Sequence, residues 1–221
     1  MKTYFSTLLD HLLSLIYPER CAACGGKGSL FCLACQGRLR PYPPEPPPAD
    51  LDAVMVAWLY NDELRRAIHA LKYYRRRRVA LALADALAAT MPAPPADALI
   101  PVPLHDARLA ERGFNQAEVL ARQLGHCWGL PVCHEGLCRE RDTGHQAHLG
   151  RQAREGNVAG AFLWRGPGHP PRRPLLVDDV LTTGATLSAC AEALRGAGSL
   201  EVRAVALARS LAPGRSTRPH A

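Results

Sequence analysis

Apolar positions along this chain recur at two periods, and the two periods alternate. Residues 3–17 place Phe5, Leu8, Leu9, Leu12, Leu13 and Ile16 at helical spacing, which predicts an amphipathic helix. Residues 53–60 read as a strand. Asp62 is a candidate cap for a helix carrying Leu64, Ile68 and Leu71, and residues 79–91 predict a second helix that the prolines of 92–95 end. Residues 98–102 form a continuous apolar run, read as a buried strand. Residues 114–128 predict a helix with Ala117, Leu120, Ala121 and Leu124 turned inward. Strands follow at 159–164 and 175–177, then a helix at 185–197 and a last strand at 202–208. Strands alternating with helices predict an α/β fold: a mainly parallel, Rossmann-like sheet with helices on both faces. Sheets of this kind hold ligands at the carboxyl ends of their strands.

Breaks in the pattern divide the chain. Residues 1–18 hold the amphipathic helix, 19–38 a cysteine-rich module and 39–50 a stiff proline-rich linker. Residues 51–211 form the α/β domain, and 212–221 a basic tail that is expected to be disordered. Residues 139–157 are charged and polar, with no clear period before Gln146. A connection of that length inside a compact domain reads as a lid, with Thr143, Gln146 and Arg151 among its polar groups.

The chain has 221 residues, 48% of them apolar, which suffices for one domain and a small appendage. No segment is expected to span a membrane: the best candidate, residues 79–91, is too short and contains Asp85. Asp10 and His11 interrupt the N-terminal apolar patch and no small-residue cleavage site follows, so a cytoplasmic protein is expected. The net charge of +7 leaves two readings open: a polyanionic partner, or a coding bias, since only three of the 27 basic residues are lysines. The densest basic run is Arg75, Arg76, Arg77 and Arg78, just after Lys72 and two tyrosines. Two readings stay open for it: a solvated helix end, or a patch for phosphates and single-stranded nucleic acid by charge plus stacking.

Four of the eight cysteines, Cys21, Cys24, Cys32 and Cys35, form a C-x2-C-x7-C-x2-C pattern. Each pair can offer two thiolates from one turn, and two turns complete a tetrahedral Zn²⁺ site. The glycine-rich fragment between them has no core of its own and needs a metal to hold a shape. With four thiolates the site is closed, so the zinc is read as structural. Cys127, Cys133, Cys138 and Cys190 lack ligand spacing.

One stretch carries the most chemistry. After Leu175, Leu176 and Val177 come Asp178, Asp179, Val180, Leu181, Thr182, Thr183, Gly184, Ala185 and Thr186. An apolar strand, two acids, a hydroxyl-rich loop and a helix start make a site for a phosphorylated sugar. The acids can take ribose hydroxyls, and the loop can wrap a phosphate with backbone N–H groups at the positive end of a helix. A plain strand-to-helix turn would need only one capping acid. Beyond the strand at 98–102, Arg108 and Arg112 stand ahead of Gly113, a placement that suits a diphosphate.

The two acids before Thr-Thr-Gly-x-Thr resemble the phosphoribosyl-pyrophosphate (PRPP) motif of type I phosphoribosyltransferases. That resemblance implies the ribose 2′- and 3′-hydroxyls on Asp178 and Asp179 and the 5′-phosphate on the loop. The wider pattern runs from Pro101, Val102, Pro103, Leu104 and His105 through Arg108, Glu111, Arg112, Gly113, Phe114, Asn115 and Gln116 to Thr143, Gln146, Leu149, Arg151, Arg154 and Asn157, and ends on the acid pair. With the four cysteines it resembles the ComF family over residues 19–209. That family joins a zinc module to a phosphoribosyltransferase-type domain and supports natural competence, the uptake of DNA by bacteria. Two functions follow as expectations. One is a competence protein with a PRPP site that handles single-stranded DNA alongside the competence machinery. The other is an Mg²⁺-dependent transferase that moves phosphoribose from PRPP to an unknown acceptor, with Asp178, Asp179, Arg108 and Arg112 as its catalytic groups and Mg²⁺ on the diphosphate.

Overall fold

A computed structural model describes residues 19–73, 76–140 and 160–210. The expected N-terminal helix, Arg75, the lid residues Thr143, Gln146 and Arg151, and the basic tail lie outside the described residues. In chain order the elements are α1 (Leu33–Gln36), β1 (Ala53–Leu59), α2 (Asp62–Tyr73), α3 (Arg77–Thr90), β2 (Ala98–Pro101), α4 (Asp106–Arg112) and α5 (Gln116–Trp128). They continue with β3 (Leu137–Arg139), β4 (Phe162–Trp164), β5 (Pro174–Leu181), α6 (Ala185–Gly196) and β6 (Arg203–Arg209).

Strands β1, β6, β5 and β2 lie side by side in that order, and every pairing is parallel. Strand β5 is central, and two apolar clusters cover the two faces of the sheet. Leu175 and Val177 pack into one with Leu71, Leu83 and Leu124, on the side of α2, α3 and α5. Leu176 packs into the other with Leu187, Cys190 and Leu194 of α6. That division follows from the strand period, since successive side chains point to opposite faces.

Four features depart from the sequence reading. Asn61 caps α2, its Oδ1 accepting from the Leu64 N–H at 2.9 Å, where Asp62 was expected. Helix α4 occupies a stretch read as loop. It buries none of its residues, so it leaves no apolar period to detect. Strand β3 pairs antiparallel with β4 and is only three residues long, too short for a pattern. Strand β5 continues past Val177 to Leu181, because Val180 and Leu181 still pair with Ala208 and Arg209 of β6. The two acids therefore belong to the strand, and the connection to α6 shrinks to Thr182, Thr183 and Gly184.

The stretch expected as a linker lies along the sheet edge. The Tyr42 N–H donates to the Ala57 carbonyl and the Leu59 N–H to the Arg40 carbonyl, so this segment covers the exposed side of β1. The cysteine module also shares the core: Cys21, Ala23, Phe31 and Cys35 pack with Trp58, Leu64, Ile68 and Leu71.

Candidate functional site

Strand alternation governs the acid pair. Asp178 follows Val177 and continues the α6 face, while Asp179 continues the α2 face. Asp179 is 8% exposed, and its Oδ2 lies 2.5 Å from the Lys72 Nζ at the end of α2. Burial pulls the Lys72 amine down, but the charge and hydrogen bond of Asp179, with Asp178 behind it, outweigh that and hold it above its ordinary value. Asp178 accepts from the Asp179 backbone N–H at 2.8 Å. Burial, reinforced by the charge of Asp179, pushes the Asp178 carboxyl up to about 7. Part of Asp178 still reaches solvent, but its carboxyl group sits deep enough in the cleft to feel that desolvation.

The acids open on a cleft of about 240 Å³. Its wall brings together five of the residues read in the sequence as sugar, phosphate and diphosphate contacts: Asp178, Asp179, Arg108, Arg112 and Thr186. It adds Lys72, Asn115, Gln116 and Arg139, and an apolar side made by Val102, Pro103, Leu104 and Ala117. Arg108 and Arg112 come from α4, and Arg112 donates to the Gln116 Oε1 at 3.0 Å. Gln116 is 2% exposed, and its Nε2 has no hydrogen-bond partner among the described residues. Asn115 caps α5 by accepting from the Ala117 N–H, and its amide donates to the Val102 carbonyl, tying the end of β2 to the helix start. Gly113, which follows the two arginines, is the left-handed cap that ends α4.

Val180, Leu181, Thr182, Thr183, Gly184 and Ala185 do not line the cleft wall. Leu181 points into the core at 2% exposure. Thr183 Oγ1 accepts from the Ala185 N–H at 3.3 Å, and Gly184 stands at the N-cap with φ +89°. Gly184 itself has no side chain to cap α6, so beyond the Thr183 hydroxyl the N-cap residue leaves the positive end of the helix open. A Cβ at Gly184 would lie 2.5 Å from the Cγ of Pro48, so the strap before β1 backs directly onto this turn. Ser188 and Arg195 of α6 donate to the carbonyls of Ala49 and Asp50, holding the strap in place.

The basic run separates. Lys72 points into the cleft, away from the outer patch it was read with. Arg76 donates to the Arg20 carbonyl at 2.9 Å, and Arg78 pairs with Glu19. Arg77 donates to the Gly113 carbonyl at 2.8 Å and lies over the Phe114 ring at 5.0 Å. These three arginines bind the cysteine module and α4 to the domain.

The sulfurs of Cys21, Cys24, Cys32 and Cys35 lie within 4.8 Å of one another, a donor set able to hold a metal ion. Backbone N–H groups of Cys32 and Gly26 point at the sulfurs of Cys21 and Cys24. Burial pushes the Cys21 thiol up, but the N–H groups of Cys32, Cys24 and Ala23 outweigh it and bring it down to about 6. Burial and the neighbouring sulfurs push Cys35 the other way. Four thiolates this close need a cation among them, so the residues fit a metal. Cys127, Cys133, Cys138 and Cys190 lie apart from this set, Cys190 fully buried on α6. Among the described residues no helix is long and apolar enough to cross a membrane.

Residues 77–220 match the family described as the phosphoribosyl transferase domain. The chain is 32% identical over 203 residues to the DNA utilization protein YhgH of Salmonella typhi, covering 86% of this chain and 84% of that protein. It is 30% identical over 200 residues to competence protein F of Haemophilus influenzae, covering 86% and 84%. It is 32% identical over 108 residues to the competence protein ComFC of Streptococcus pneumoniae, covering 49% and 46%.

The raised Asp178 carboxyl makes a prediction about pH. Its folded value near 7 lies above the unfolded value of about 3.9, so the folded state binds the proton more tightly. Its contribution to stability is complete below about pH 4 and is lost as pH rises through 7. Melting temperatures of wild type and Asp178→Asn, measured between those limits, should converge toward the acid end and separate toward pH 7, with the variant the more stable there. Parallel curves would show that Asp178 titrates normally.

Proposed function

This chain belongs to the phosphoribosyl transferase domain family and to the family of the competence and DNA utilization proteins, and from that membership we propose that it binds PRPP at the carboxyl edge of β5 in support of DNA uptake. One observation carries the reading: two adjacent carboxylates, two arginines and Thr186 at the start of α6 converge on a single cleft. Asp178 and Asp179 accept the ribose hydroxyls. Thr182, Thr183, Gly184, Ala185 and Thr186 take the 5′-phosphate on the helix start. Arg108 and Arg112 take the diphosphate, where guanidinium forks match phosphate oxygens. The lid expected from the sequence, with Thr143, Gln146 and Arg151, lies outside the described residues. The donor set also fits a divalent ion, which would be Mg²⁺ carried in on the diphosphate, faced by Asp178 and Asp179 and screening its charge. Zinc is the ion of the four-cysteine site, in keeping with its all-thiolate donors.

The net charge of +7 supports single-stranded DNA as a partner. A second reading, transfer of phosphoribose to an acceptor, is favoured by Arg108 and Arg112, which stand where charge would develop on departing pyrophosphate. In that case the residues work by positioning and by charge stabilisation, with no protein nucleophile.

Calorimetric titration of PRPP with Mg²⁺ tests the site. Asp179→Asn should weaken binding by roughly ten- to hundredfold, the scale of a hydrogen bond to a charged group; an unaltered Kd would remove Asp179 from it. Elemental analysis should find zinc in the wild type and little in Cys32→Ser, and full zinc content in the variant would refute the ligand set. Purified protein incubated with PRPP, Mg²⁺ and candidate bases or amines should release pyrophosphate if transfer occurs; none released with any acceptor leaves binding alone. Affinity for single-stranded DNA should fall as salt rises, and a salt-independent affinity would contradict a phosphate-led interaction.

A further inference from the structure

Lys72 stands apart from the other cleft residues. It lies upstream of the 77–220 stretch that matches the domain family, and its sequence neighbours are the arginines of the outer surface. Yet its Nζ is 2.5 Å from the Asp179 Oδ2, on the same cleft wall as Arg108 and Arg112. We propose that Lys72 is the residue by which this cleft tells a ribosyl ligand carrying a diphosphate from one carrying only the 5′-phosphate: the ammonium paired with Asp179 passes to the diphosphate, and Asp179 passes to the sugar hydroxyls.

The inference rests on the PRPP reading above and deepens it. The side chains of Lys72 and Asp179 are 21% and 12% exposed, so neither charge can be left alone without a large desolvation penalty. Ribose hydroxyls can satisfy the hydrogen bonds of Asp179, but they bring no charge for Lys72. A ligand with hydroxyls alone would have to break a buried ion pair and strand an ammonium. A diphosphate supplies a new anion to that ammonium, and the exchange then balances. Arg108 and Arg112 line the same wall and can offer the diphosphate two guanidinium forks. A lysine suits the moving role, because its ammonium is a point charge on a flexible stem with three rotatable donors. Helix α2 anchors the backbone from which that stem swings: Leu64, Ile68 and Leu71 are buried in the core it shares with the cysteine module.

The test compares two ligands on the full chain, PRPP and ribose 5-phosphate, each titrated by calorimetry with Mg²⁺ present. Wild type should prefer PRPP. Lys72→Met should lose roughly ten- to hundredfold in PRPP affinity while ribose 5-phosphate changes little, so the preference collapses by the same factor. Lys72→Arg keeps the charge and should keep most of the preference. Lys72→Gln retains a donor to Asp179 and loses the charge; it should behave like Lys72→Met, and it serves in its place if that variant melts below the assay temperature. Equal losses for both ligands would mark Lys72 as merely structural and overturn the proposal, as would an unchanged preference in the methionine and glutamine variants. Wild type that binds neither ligand would instead overturn the PRPP site, and this inference with it.

Discussion

Two carboxylates side by side near the end of a buried parallel strand are an electrostatic problem that the surrounding structure is arranged to answer. Strand geometry sends them to opposite faces, and each face replies differently. On the α2 side Asp179 meets an ammonium at 2.5 Å. On the α6 side Asp178 accepts the Asp179 backbone N–H, and burial makes its charged form costly. The pair thus holds one acid closed on a cation and one whose carboxyl burial raises to about 7.

The elements outside the sheet serve the same edge. Helix α2 runs from the cysteine module to the cleft: Arg66 donates to the Ala23 carbonyl within the first C-x2-C turn, and Lys72 closes on Asp179. The proline-rich strap covers the β1 edge, then turns and seats Pro48 against Gly184. Asp52 ties its end to the Val202 N–H and to Arg195 of α6. Neither segment is a free appendage. Both press on the residues that shape the turn before α6 and the acid pair, from opposite faces of the sheet.

Much of this was legible in the chain. The long apolar periods predicted α2, α3, α5, α6 and the parallel strands, because each buries a continuous stripe that leaves its spacing in the sequence. The acid pair and the loop after it were legible as local chemistry, and Arg108 and Arg112 by position after a strand. Helix α4 and strand β3 were not, since one buries nothing and the other is three residues long. Asn115 and Gln116 stood at the end of the same polar stretch as the arginines, and their amides could have been read as cleft donors. Arg139 was visible only as the start of the polar segment expected as a lid.

By itself the sequence determined the alternation of strands and helices, the four thiol donors and their spacing, and the presence of two acids ahead of a small hydroxyl-rich turn. These are local properties: period, spacing and the type of each side chain decide them. Only the tertiary structure decided which cation answers which acid. Lys72 reads in the chain as the head of a basic run, and nothing nearby in sequence separates it from Arg76, Arg77 and Arg78. Folding separates them, because the last turn of α2 carries Lys72 to the end of β5 while Arg76, Arg77 and Arg78, at the start of α3, reach Arg20, Gly113 and Glu19. A charge acts on whatever lies within a few ångströms, and across more than a hundred residues of chain that distance is set by packing alone.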